Sequence, residues 1–93
     1  MNQAVLSKIR YLQEKHNNAT LRAAELYDVG GSGFYRWLAE ADKVEAALKA
    51  YADVVPEMKI MEKRKKVPNR IGKKPLYYQI YVVKFGKRLD GKS

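Results

Sequence analysis

Residues 76–85 read LYYQIYVVKF, a run of β-branched and aromatic residues bounded by Pro75 and Gly86, and such a run reads as a β-strand. One face carries Leu76, Tyr78, Ile80, Val82 and Lys84, the other Tyr77, Gln79, Tyr81, Val83 and Phe85. Both are mostly apolar, so the strand needs cover on each side. A lone exposed strand of this kind aggregates. It must pair with a strand drawn from residues 59–74, with another subunit, or with both, and any fold for the chain has to be arranged around it.

The rest of the chain bounds that fold. Ninety-three residues carry a single core. Hydrophobic residues at 46% suit a globular chain, and charged residues at 31% a well-solvated surface. With no cysteine there is neither a disulfide framework nor a thiolate metal site, and the sole histidine, His16, cannot anchor a multi-histidine site. It reads as a single surface or core histidine, so no metal and no cofactor is expected. No apolar run approaches the roughly 18 residues that span a bilayer, and the first residues lack the charged-then-apolar order of a signal peptide. A cytoplasmic, nucleoid-associated protein without a membrane partner is expected. No Ser, His and Asp set, carboxylate pair or phosphate-loop lysine points to catalysis, and no small-molecule ligand is evident. The expectation is a binding protein and not an enzyme.

Upstream of the strand the apolar spacing is helical. Val5, Ile9 and Leu12 recur at intervals of four and three between polar residues, which predicts a helix over residues 3–15. Asn17 and Asn18 supply turn chemistry, and Thr20 is placed to cap a short second helix through Leu21, Ala24 and Tyr27. Asp28, which tolerates a left-handed conformation, ends it. After Gly30 and Gly31, the residues Phe34, Trp37, Leu38 and Ala41 line a third helix. Val44, Leu48, Tyr51 and Val55 step by four, three and four along a fourth, which Pro56 stops. The expected fold is mainly α with a C-terminal β-hairpin (α+β): a three- to four-helix bundle over residues 1–58 and a basic hairpin or strand extension of the same domain over 59–93.

Charge is divided unevenly between those parts. The formal net charge is +9, yet residues 1–58 hold seven cations and eight acids, while residues 59–93 hold twelve cations and two acids, Glu62 and Asp90. Eight of the twelve lie in residues 59–74, KIMEKRKKVPNRIGKK, which reads as a loop or hairpin tip. Such a field attracts a polyanion by releasing condensed counterions, and nucleic acid is the polyanion a cytoplasmic protein meets most often. Residues 87–93, KRLDGKS, read as a frayed end.

Residues 20–39, TLRAAELYDVGGSGFYRWLA, resemble a helix-turn-helix of the kind found in bacterial and phage repressors and in the small first proteins of some insertion-sequence transposases. Ala24, with Ala23 beside it, supplies the small residue where two steeply crossing helices touch. The turn falls at Asp28, Val29 plugs the corner, and Phe34 and Trp37 face the first helix. The resemblance implies a recognition helix presenting Ser32, Tyr35 and Arg36 to base edges, with Arg36 able to take guanine bidentately. Its GGSG start removes side chains and costs roughly 1 kcal/mol per interior glycine, so direct readout is expected to be sparse. The phrase LYDVGGSG is also similar to a methyltransferase glycine loop, but the residues before it are helical in period and the chain is too short for a doubly wound sheet.

RIGKKPLYYQIYVV is similar to the β-wing of winged helix-turn-helix proteins, in which a basic tip precedes a tyrosine-rich returning strand. In that picture residues 65–71 rise, Gly72 to Pro75 turn, and Leu76 onward descends. The expected backbone contacts are Arg22, Lys63, Arg64, Lys65, Lys66, Arg70, Lys73 and Lys74. The function these readings imply is that of a small transcriptional regulator of a prokaryote or mobile element, bound to double-stranded DNA as a homodimer through the apolar strand or the Val44–Val55 face. The alternatives are a phage-type inhibitor or other module whose basic face contacts an acidic protein, and an RNA-binding protein whose tyrosines stack on bases.

Overall fold

The computed structural model describes residues 2–86, so the expected frayed end at 87–93 lies outside the described residues. Two helices, α1 (Gln3–Glu25) and α2 (Gly31–Val54), precede an antiparallel hairpin of β1 (Met58–Lys66) and β2 (Tyr77–Phe85). A mainly α chain with a C-terminal hairpin is consistent with this; a three- to four-helix bundle is not. The helices expected over 3–15 and from Thr20 are one, because Asn17 and Asn18 do not turn the chain. Thr20 lies inside α1 and donates its hydroxyl to the Asn17 carbonyl at 3.0 Å, so it is no cap. The real cap is Asn2, whose Oδ1 accepts the Ala4 N–H at 2.6 Å. The expected third and fourth helices also fuse: Ala41, Val44 and Leu48 are buried on one continuous face of α2.

The interhelical turn is made by glycine. Gly30 (φ 69°) and Gly31 (φ 80°) take left-handed backbone conformations, which cost side-chain-bearing residues roughly 1–2 kcal/mol. Asp28 does not adopt one. Two of the three glycines expected to weaken the start of this helix thus build its entry, and only Gly33 is interior to α2. There a Cβ would stand 3.3 Å from Leu26 Cδ1, so the glycine lets the turn close.

The turn sends α2 back along α1. Tyr27 meets Phe34 near the turn, with ring centroids 5.9 Å apart, and Lys15 pairs with Glu40 at 3.2 Å further along. Toward the open end, Ile9 and Leu12 share one buried cluster with Val44, Leu48 and Val55. The hairpin completes that cluster with Met58, Tyr81 and Val83, and with the half-buried Ile60 and Phe85. The register Met58↔Phe85, Ile60↔Val83 puts these residues on one face of the sheet, as the two-residue period requires. On the opposite face Ile80 is buried, and its cross-strand partner is Lys63.

The partner strand takes the first half of the segment expected to be a loop or hairpin tip: Met58 to Lys66 all pair with β2, and the connecting loop is Val67–Leu76. Val44, Leu48 and Val55, together with Tyr81 and Val83, are buried within the chain. They are spent on its own core, so the face expected to form a dimer is occupied.

β2 has a second edge, and α1 closes it with side chains. Asn17 lies against Tyr81: its Nδ2 donates to the Tyr81 carbonyl at 2.9 Å and its Oδ1 accepts the Tyr81 N–H at 2.9 Å. One turn earlier, Gln13 Oε1 accepts the Val83 N–H at 2.7 Å. The spacing works because four helical residues rise about 6 Å and two strand residues about 6.7 Å, a mismatch that side chains differing by one methylene absorb. Below this edge lies a polar knot. His16, 3% exposed, stacks on Tyr81 with centroids 4.3 Å apart, and the Tyr81 hydroxyl donates to Glu45 Oε2 at 2.5 Å. Burial first, and then this bond, hold the Tyr81 pKa well above its ordinary value. The same hydroxyl, followed by Lys49, holds Glu45 below the ordinary carboxylate value.

Candidate nucleic-acid interface

The hairpin runs so that its tip meets the interhelical turn. The tip is shut by the Val67 N–H donating to the Leu76 carbonyl at 2.8 Å. Within it, Asn69 (φ 64°) and Gly72 (φ 77°) make the left-handed bends. Arg70 ties it down on two sides, donating from Nη1 to Asp28 Oδ2 at 2.6 Å and from Nε to the Lys74 carbonyl at 3.1 Å. Lys73 Nζ adds a 3.3 Å contact to the same carboxylate oxygen. The start of α2 and the basic tip therefore occupy one end of the molecule.

Around that end the expected contact residues divide. Ser32, Tyr35 and Arg36 are exposed on neighbouring positions of the first turns of α2, with Tyr35 at 68%. The α2 N-terminus has no side-chain cap and no acid in its first turn, which leaves amide N–H groups facing outward beside the cations. Lys63 and Lys65 project from the sheet face turned away from the helices, in line with Lys59; Arg64 and Lys66 project from the other face, beyond the helices' cover. Lys73 and Lys74 are exposed on the tip. Arg22 is exposed on α1 and pairs with Glu25 at 3.5 Å.

Two expectations need correction. Arg70 holds the tip together instead of standing free: its side chain is 16% exposed and engaged by Asp28. Val29 does not plug the corner, since it is 78% exposed; Phe34 does, against Tyr27. Three further residues went unnoticed in the sequence. Lys59 and Lys84 face each other across the sheet and extend the outer cationic row, which strict alternation of the strand would have revealed. Ile71 is 94% exposed at the tip among lysines, and no sequence pattern marks it.

Asp28 sets the electrostatics of the junction. The Arg70 guanidinium, and after it the Lys73 ammonium, hold its carboxyl below the ordinary value of 3.8. A depressed carboxylate pKa contributes stability that is present above the ordinary value and lost as pH falls through the folded one. Asp28→Asn is therefore expected to lose amide-exchange protection at Val67 and Lys73, whose N–H groups bond across the tip, at neutral pH. The difference from the parent should close as pH drops below 3.8. An unchanged exchange profile at pH 7 contradicts the tie.

Comparison of the chain with protein-family models, with curated proteins and with solved structures gives no match. Among the described residues no helix is long and apolar enough to cross a membrane, and no group of three or more His, Cys, Asp or Glu stands ready to hold a metal ion.

Proposed function

We propose that the protein binds double-stranded DNA as a small, nucleoid-associated regulator, with the basic hairpin clamped on phosphates and the start of α2 offered to a groove. The observation that carries this reading is the shared end of the molecule: exposed Ser32, Tyr35 and Arg36 beside the lysine-rich tip, joined through Asp28 and Arg70. A groove reader and a backbone clamp act together only when one duplex can touch both. With only three side chains in reading position, phosphate contact dominates and sequence preference is modest. Ile71, fully exposed at the tip, is the apolar side chain best placed to press into a minor groove. A homodimer on a two-fold site fits this reading, although its interface must be built from surface other than the buried Val44–Val55 face.

Mobility-shift titrations with random duplex, single strand and RNA at several salt concentrations test it. Six exposed cations, Lys63, Arg64, Lys65, Lys66, Lys73 and Lys74, predict a log–log salt slope of about −5 on duplex at roughly −0.9 per contact. A slope near zero, or a preference for single strand or RNA, overturns the proposal.

A further inference from the structure

A cavity of about 340 Å³ opens between the helices and β2. Its floor is small: Ala23, Ala24 and Ala41 line it where longer side chains would have filled the space. Phe34 and Tyr77 stand at its sides and offer ring faces or edges to an occupant. The volume lies in the range of small-molecule sites, which are typically apolar with a few converging polar groups.

Three acceptor groups converge on the cavity. Asp42 lines the cavity, is exposed, and makes no ion pair among the described residues. Glu45 lines it too, with Oε2 taken by Tyr81 and Lys49 and Oε1 left over. The Tyr81 hydroxyl has already spent its proton on Glu45. His16 is the third group, 3% exposed yet in the cavity lining. Asn17 Oδ1 is held as an acceptor by the Tyr81 N–H, so the His16 nitrogen 2.9 Å from it, Nδ1, carries the hydrogen and donates. The Nε2 lone pair then has no partner among the described residues. A buried acceptor left unpaired is costly, and a ligand that donates hydrogen bonds relieves it.

No lysine or arginine lines this cavity, although the chain carries nineteen of them. Tyrosine hydroxyls at the rim, of Tyr27, Tyr77 and Tyr78, can donate as well as accept, but Asp42, Glu45 Oε1 and His16 Nε2 offer only acceptor atoms, two of these groups are anionic, and the walls are aromatic. We propose that the cavity is a binding site for a small organic cation: an ammonium or amidinium group that donates to Asp42, Glu45 and His16 Nε2, on a flat apolar body lodged over the alanines between Phe34 and Tyr77. Aromatic walls favour such a cation further. The carboxylates of Asp42 and Glu45 disfavour an anionic occupant. The lining shares no residue with the DNA-binding reading, although Lys66 and Arg64 lie across the sheet from Tyr77 and Gln79.

The test uses the full chain, labelled with ¹⁵N and titrated with three probes that share one ring system: tryptamine, indole and indole-3-acetate. Tryptamine is expected to move the amides of Ala23, Ala41 and Tyr77 saturably, indole to bind at least about fivefold more weakly, and indole-3-acetate to leave those amides in place. Asp42→Asn, a change at an exposed position, should weaken tryptamine about five- to tenfold, while Asp53→Asn, exposed on the same helix, should leave it unchanged. Equal binding of all three probes, equal loss in the two variants, or no saturable shift at the cavity residues overturns the proposal.

Discussion

Asn17→Leu is expected to unfold at a much lower denaturant concentration than the parent, while Asn18→Leu beside it leaves the midpoint almost unmoved. Asn17 is the only partner among the described residues for both outward-facing backbone groups of Tyr81, and leucine satisfies neither. Each unpaired buried group costs about 1–3 kcal/mol, so the variant loses about 2–6 kcal/mol. Against a total of about 5–15 kcal/mol for a small domain, that is a large share. The loss extends further, since His16 Nδ1 also gives up its acceptor. Asn18 is exposed and makes no side-chain hydrogen bond among the described residues, and surface changes of that kind stay within about 0.5 kcal/mol. Urea melts of both variants decide the matter. Similar midpoints for the two show that α1 does not close the sheet edge.

The second large effect is on DNA affinity. Replacing Lys63, Lys65, Lys66, Lys73 and Lys74 together with glutamine should weaken binding to every duplex alike, by about a thousandfold or more at 0.15 M salt, and bring the salt slope from about −5 to about −1. All five are exposed. Only Lys73 has an ionic partner among the described residues, and Arg70 remains on that partner, Asp28. The fold is therefore expected to survive, so a circular-dichroism melt near the parent's separates lost contacts from lost structure. Affinity that changes less than tenfold removes the hairpin from the interface.

The strand at residues 77–85 was legible because its composition leaves no other choice, and the need for a partner followed from its two apolar faces. The partner itself was hidden. Met58 to Lys66 carries five cations and little apolar character, so no β-propensity signals it, and only pairing with β2 makes it a strand. The helix boundaries failed for a related reason. Asn17 and Thr20 have the chemistry of turns and caps when read locally, but inside α1 one reaches the sheet and the other its own backbone. Tertiary hydrogen bonds outweighed local preference. The exposure of Ser32, Tyr35 and Arg36 on one helix was readable, whereas the bond from Arg70 to Asp28 spans 42 residues and has no local trace. The cavity was invisible for the same cause, being lined from three elements far apart in the chain.

The two amide side chains of α1 act like the teeth of a rack. Gln13 and Asn17 mesh with alternate residues of β2 near the hairpin's base, so sliding the hairpin along the helix by one residue would present side chains of the wrong length to backbone pointing the wrong way. Axial position is thereby indexed far from the tip. Loop 67–76 is relieved of any duty to set alignment, which makes it the natural place for length changes and foreign insertions: a chassis with an exchangeable end.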